Sequence, residues 1–277
     1  MEVRPLTVDD VAAAPTWLEG AGLLPDRWRD ASTRAVAGWE GPDLVAVGRI
    51  FTSSVHPGRY CTEVVVAPER RRRGLGREMA DQLLGLRSEP KPLCTRGYVS
   101  SEPVLFARSL GARPYQTCPP QQVATADGAQ LAATGPATQP GSAVGLEELQ
   151  EAWVEIYAWV HAGWSPVSAA FERPLLASFA KDLDLTQTRV VASSTIQAAA
   201  FVFHDDQQPV VVAECRTPTE PAGLDLLRAC VRDSLLSLAN QGVSTITFDG
   251  HDTDPHFRPM LDELPTTGEA FELLEWN

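Results

Sequence analysis

The chain has 277 residues and a formal net charge of −13, with 44% hydrophobic and 21% charged residues. That length suits two domains of about 140 residues each, and the composition is ordinary for globular proteins. Its acidity weighs against a nucleic-acid partner, no apolar run is long enough to cross a membrane, and the opening MEVRPLTVDD lacks the order of a secretory signal, so a soluble cytoplasmic protein is expected.

In chain order, VRPLT (residues 3–7) reads as a short strand, and VDDVAAAPTWLEGAG (8–22) as a helix with acids in its first turn. TRAVAGWE (33–40) and DLVAVGRIFTSS (43–54) form a hairpin pattern around Gly41-Pro42. RYCTEVVVAP (59–68) is a strand ended by Pro68, and LGREMADQLLGL (75–86) sets Leu75, Met79, Leu83 and Leu86 at helical spacing. PLCTRGYVS (92–100), EPVLFARSLG (102–111) and ARPYQTC (112–118) follow as strand, helix and strand. The Pro-, Gly-, Ala-, Thr- and Gln-rich stretch after Cys118 reads as a linker, with QQVATA (121–126) as a last edge strand of what precedes it.

The second half repeats the order. LEELQEAWVEIYAWVHAGW (146–164) and AAFERPLLASFAKDL (169–183) read as helices, and residues 188–194, 196–205 and 209–218 as strands. A helix over 224–242, a strand over 243–250, a short helix over 254–264 and a closing strand over 269–276 complete it. The expected fold is α+β, two domains each with a mostly antiparallel mixed sheet and helices on both faces: residues 1–125, a linker 126–143, and residues 144–277.

Charge divides unevenly. Residues 1–140 carry 16 Lys+Arg and 15 Asp+Glu, whereas residues 141–277 carry 7 and 21. The acidic half serves solubility, or concentrates a cationic acceptor near an anion-binding first half. Five scattered cysteines without a CxxC pair read as buried apolar residues in a reducing compartment.

The chemistry concentrates in Glu63-Val64-Val65-Val66-Ala67-Pro68-Glu69-Arg70-Arg71-Arg72-Arg73-Gly74-Leu75-Gly76-Arg77. A strand runs into a basic, glycine-containing turn that opens a helix. The first helical turn has backbone N–H groups without internal partners and a partial positive charge, and glycines let phosphate oxygens approach them. Arginines add charge-assisted hydrogen bonds. The spacing fits neither a Walker loop nor GxGxxG.

Val66, Pro68, Arg71, Gly74 and Gly76 fill the pattern V-x-P-x-x-[RQ]-x-x-G-x-[GA], so the segment resembles motif A of the GCN5-related N-acetyltransferase (GNAT) family. LFARSLGARPY resembles the helix–Gly–strand ending of that family. The resemblance implies acetyl-CoA as acyl donor, with the amides of residues 71–76 around its pyrophosphate and Val64, Val65, Val66, Arg71, Arg72, Arg73, Gly74, Leu75, Gly76 and Arg77 as the binding set. It further implies that Val64 and Val66 pair their backbone with the pantetheine arm, on a strand splayed from its neighbour at a bulge.

An amine must be deprotonated to attack a thioester, and Glu63 on the matching strand is the first choice of general base, desolvated by Val64 to Val66. The backbone N–H near Val65 or Val66 is the oxyanion donor. The family's usual acid, a tyrosine, aligns with Ala107, which leaves Tyr98 and Ser101 as candidate acids beside Ser100 and Tyr115. The acceptor is expected to be a small polar or cationic amine; a protein amine, acyl transfer to a carrier protein and a non-catalytic acyl-CoA sensor stay open, as does a homodimer.

In the second half the corresponding turn, Glu214 to Gly223, is shorter, carries Glu220 and lacks RxxGxG, so it is read as a degenerate copy without coenzyme binding. Asp249, His251, Asp252, Asp254 and His256 read as a loop with a capping aspartate, and no metal site is expected.

Overall fold

The computed structural model describes residues 1–18, 33–133 and 135–277. The predicted helix 8–22 therefore has its residues 19–22 outside the described ones, as is residue 134 of the linker. The elements run β1 (Glu2–Pro5), α1 (Val8–Ala12), β2 (Arg34–Glu40), β3 (Asp43–Thr52), β4 (Tyr60–Val66), α2 (Leu75–Gly85), β5 (Leu93–Tyr98), α3 (Glu102–Ser109) and β6 (Arg113–Cys118). They continue with β7 (Gln122–Ala124), β8 (Gln139–Pro140), α4 (Leu146–Ala162), α5 (Glu172–Leu175), α6 (Phe179–Asp182), β9 (Arg189–Ala192) and β10 (Ile196–Phe203). Last come β11 (Val210–Cys215), α7 (Gly223–Asn240), β12 (Thr245–Phe248), α8 (Phe257–Leu261) and β13 (Phe271–Trp276).

These elements make two sheets. One has the order β1-β2-β3-β4-β5-β13-β6, the other β7-β12-β11-β10-β9-β8. Contacts divide the chain likewise: Met1–Gly97, Ser101–Tyr115 and Leu273–Asn277 form the first unit, and Tyr98–Ser100 with Gln116–Glu272 the second. Two elements depart from the sequence boundaries at 125 and 143. QVA, read as the last strand of the first domain, pairs antiparallel with β12 in the second sheet. The closing strand, read as the end of the second domain, lies between β5 and β6 in the first sheet. Strand periodicity says which face a residue takes but not which strand lies beside it, and both differences are of that kind. The predicted helix 169–183 forms only the two short helices α5 and α6.

Period-2 alternation sorts each sheet's core onto two faces. In the first unit Val36, Ala46 and Ile50 pack with Met79 and Leu83 of α2 and Val104 of α3. The intervening Ala35, Ala37 and Val47 pack on the opposite face with Leu6, Leu18 and Val11. In the second, Ala198, Ala200, Val211 and Ala213 meet Leu227, Val231 and Leu235 of α7. Ala199 and Phe201 meet Leu149, Trp153 and Ile156 of α4 on the other face. Trp153 is thus a core residue.

Helix α1 is fixed by a capping box: Thr7 Oγ1 accepts from the Asp10 amide at 3.3 Å, and the Thr7 amide donates to Asp10 Oδ2 at 2.8 Å. Arg4 adds two hydrogen bonds to the Asp10 carboxylate at 2.7 and 2.8 Å. The Arg4 guanidinium and the Thr7 donors hold the Asp10 carboxyl down at about 2, against the opposing effect of burial. A depressed folded-state value means the contribution is complete above the ordinary carboxylate range and is lost as pH falls through it toward 2. Thermal unfolding of Asp10→Asn should therefore show a flatter loss of stability than the parent between about pH 5 and pH 2; equal acid sensitivity would contradict this reading of the capping box.

Candidate active site

Strand β4 meets β3 along its whole length, from Thr52↔Tyr60 to Ala46↔Val66, without a register shift. Against β5 it pairs in parallel only at Tyr60↔Leu93 and Cys61↔Cys94. The splay expected of this strand is therefore present, while the bulge expected with it is not. The Tyr60 amide donates to Pro92 on the β5 side and the Ala67 amide to Val45 on the β3 side. Alternation then turns the backbone groups of Thr62, Val64 and Val66 toward β5, beyond the last paired residue. Those of Cys61, Glu63 and Val65 face β3. Of the two oxyanion donors read from the sequence, Val65 is committed to the sheet and Val66 faces the opening.

After Pro68 the chain makes a short turn of 3-10 helix over Pro68–Arg70, and Gly74 caps α2 with φ +89°. That left-handed conformation is natural for glycine and strained for other residues. No side chain caps the helix, so the amides of Gly74, Leu75, Gly76 and Arg77 have no intrahelical acceptor. Space over the Gly74 Cα is open, whereas a Cβ on Gly76 would lie 3.0 Å from the Phe106 ring of α3. Gly76 lets α2 start close to α3; Gly74 leaves the helix end bare.

The arginines of the turn divide by partner. Arg70 pairs with Glu40 at 2.9 Å, and Arg77 donates to the Ser109 carbonyl at 2.7 Å. Arg71 donates to the Val66 carbonyl at 3.2 Å and to both Glu102 oxygens at 3.1 Å, closing over the end of β4. Arg72 and Arg73 are exposed and make no ion pair among the described residues. Uncapped amides, two unpaired guanidiniums and an open strand edge thus meet at one end of β4, on one side of the first sheet.

Glu63 does not occupy the desolvated setting expected of it. Its side chain is 44% exposed, and both carboxylate oxygens receive the Arg49 guanidinium at 2.8 Å across the β3–β4 pair. The Val64 and Val66 side chains lie on the α2 face, opposite to that of Glu63, and cannot desolvate it. Tyr98 is exposed and stands edge-on to Phe271 with ring centroids 5.4 Å apart. Ser101 holds the N-cap position of α3, but its side chain makes no capping hydrogen bond. Ala107 is buried among core residues, so the aligned acid position lies in the core.

A thiol pair, not legible in the sequence, stands at the last registered residues of the parallel ladder. Cys61 and Cys94 hydrogen-bond to each other, which brings Cys61 down to about 7 and, with burial, pushes Cys94 up. Tyr115 beside them is pushed up by burial and carries the Arg59 guanidinium over its ring at 3.7 Å. Arg59 also reaches Glu275 of β13 at 2.5 Å.

The second unit repeats this plan up to one point. β11 and β12 pair in parallel only at Val210↔Thr247 and Val211↔Phe248 before they part. Here the turn is filled from within. Arg216 is held by Glu155 of α4 at 2.5 and 2.8 Å, and the His256 ring sits against Gly223 so closely that a Cβ there would meet it at 2.4 Å. Glu214, four residues along β11 from the first parallel pair, takes the place Val64 has in β4. It is fully buried, and desolvation together with its neighbour Asp254 holds its carboxyl well above the usual range. Asp254 caps α8 as read from the sequence, accepting from the His256 and Phe257 amides at 2.7 and 2.6 Å.

The two mixed, mostly antiparallel sheets flanked by helices define the class: the two-unit acetyltransferase fold. A tandem GNAT protein from the clavulanic acid biosynthesis pathway, 16% identical, aligns over 99% of this chain and 98% of its own with a TM-score of 0.57. A GNAT-family acetyltransferase from Colwellia psychrerythraea, 11% identical, covers 100% of both chains at 0.57. A GCN5-related N-acetyltransferase from Sphaerobacter thermophilus, 15% identical, covers 99% and 95% at 0.53. Such identities show a common fold. Residues 7–87, which contain β4, the basic turn and α2, match the model of the acetyltransferase (GNAT) family. No curated protein matches the chain in sequence, and no helix among the described residues is long and apolar enough to cross a membrane.

Gly74→Ala, which meets no atom but must adopt φ +89°, should lower the stability of the first unit by about 1 kcal/mol. Thermal unfolding with no loss would show that the turn relaxes without the left-handed residue.

Proposed function

We propose that the first unit binds an acyl-CoA, acetyl-CoA in the first place, at the β4–α2 turn and passes its acyl group to a small polar or cationic amine. One observation carries this reading: the bare N-terminus of α2, with Arg72 and Arg73 unpaired, stands at the end of a strand whose Val64 and Val66 backbone groups face no neighbouring strand. A diphosphate fits the first feature. An extended chain with amide groups, such as pantetheine, fits the second by adding itself as a strand. In binding the diphosphate, Arg71 would exchange Glu102 for a phosphate oxygen, an exposed pair of little net stability.

In this reading the acceptor nitrogen attacks the thioester carbon, the Val66 amide donates to the developing oxyanion, and the C–S bond breaks to release CoA thiolate. Glu63 takes the proton of the amine, directly or through water, and Arg49 orients its carboxylate. Tyr98 and Ser101 are the acid candidates to return a proton to the thiolate. The second unit, whose turn is filled by His256 and Arg216, takes no coenzyme. A second reading, a binder that does not turn over, is favoured by the Glu63–Arg49 pair and by the buried Ala107.

Calorimetry with acetyl-CoA should give one site per chain. Gly74→Glu and Arg71→Glu should each weaken it by about a hundredfold or more, the loss of two charge-assisted contacts, and Glu220→Ala should leave it unchanged. Undiminished affinity in the first two variants would retire the assignment. Free thiol released from acetyl-CoA in the presence of an amine panel should appear with the parent and fall with Glu63→Gln; coenzyme binding without any thiol release would favour the non-catalytic reading.

A further inference from the structure

We propose that the second unit carries a divalent metal site, best suited to Zn(II), formed by Cys118, Asp249 and His251. The sequence reading expected no metal here, taking Asp249, His251, Asp252, Asp254 and His256 as a loop with a capping aspartate; Cys118 is far from that loop along the chain. Folding brings it there: one ligand atom each from Cys118, Asp249 and His251 lies within 4.8 Å of the other two. Ligands of a tetrahedral zinc stand about 3.5 Å apart, so binding would draw these atoms together by about 1 Å. Thiolate, imidazole and carboxylate together are a donor set for zinc rather than for the oxygen-seeking cations.

An independent observation concerns the histidine. His251 is only 8% exposed, and its Nδ1 has no hydrogen-bond partner among the described residues. Its ring packs against Trp164, with centroids 4.8 Å apart. Polar atoms buried this far without a partner are uncommon and call for an explanation.

Charge points the same way. The charged neighbours that act on Cys118 and His251 are Asp249, Asp252 and Asp254, all acidic. The arginine of this loop, Arg258, is already held by Asp252 at 2.5 Å and Asp262 at 2.8 Å. Elsewhere in the chain Asp10, Glu63, Glu155 and Glu263 each have an arginine; among the described residues no Lys or Arg forms an ion pair with Asp249.

The ligands are also held in place without the metal. Gln121 bonds both the amide and the carbonyl of Gly250, between Asp249 and His251, and the Asp252 amide donates to Thr117 at 3.2 Å, next to Cys118. A metal here joins the segment that enters the second unit to the loop after β12, at the place where β11 and β12 part. Three protein ligands leave a fourth position for solvent, the coordination of a zinc centre with an open site.

The full-length protein, stripped with a chelator and titrated with Zn(II), should take up one equivalent and unfold at a higher temperature. Co(II) in its place should show a thiolate charge-transfer band that vanishes in Cys118→Ser. Asp249→Asn, an exposed position where the fold is not at stake, and His251→Gln should each weaken Zn(II) binding by about tenfold or more. The absence of stoichiometric binding would overturn the proposal, as would a Co(II) thiolate band retained in Cys118→Ser or parent-like Zn(II) affinity in Asp249→Asn.

Discussion

Two residue pairs, Tyr60↔Leu93 and Cys61↔Cys94, are all that join β4 to β5 in parallel. Beyond them the backbone groups of Thr62, Val64 and Val66 have no strand to pair with, although buried amides and carbonyls need partners. The sheet tolerates the opening because β3 holds β4 in unbroken register on its other edge. Everything proposed for the first unit follows from that arrangement. It leaves a strand edge for an incoming chain and sets the bare end of α2, with its arginines, beside that edge.

The second unit shows what happens to the same topology when its own side chains occupy the opening. β11 and β12 also separate after two registered pairs. There the corresponding space takes the buried Glu214 beside Asp254, the His256 ring against Gly223, and Arg216 tied to Glu155. A coenzyme diphosphate would have to displace a histidine ring and approach Glu220. The copy keeps the scaffold, and buried polar groups take the place of a ligand.

What could be read from the sequence divides by range. The strand, basic turn and helix around RxxGxG are contiguous, so pattern and turn chemistry sufficed for β4, Gly74 and α2. The shorter turn at 214–223 and a capping aspartate in the loop after β12 were legible for the same reason. Long-range pairing was not. Nothing in FELLEW distinguishes a strand of the second sheet from one inserted between β5 and β6, and QVA looked like an ending although it begins the second sheet. The setting of Glu63 was misjudged because its partner, Arg49, lies on the neighbouring strand and Val64 and Val66 turn to the opposite face. Cys118 escaped for the same reason: its neighbours Asp249 and His251 come from the far end of the chain.

Amide hydrogen exchange with and without acetyl-CoA tests the central claim most directly, because it reads the very backbone groups involved. The account predicts added protection at Val64, Val66 and residues 72–77, and none at residues 214–226. Protection in the second turn, or no change at the end of β4 under saturating acetyl-CoA, would contradict it.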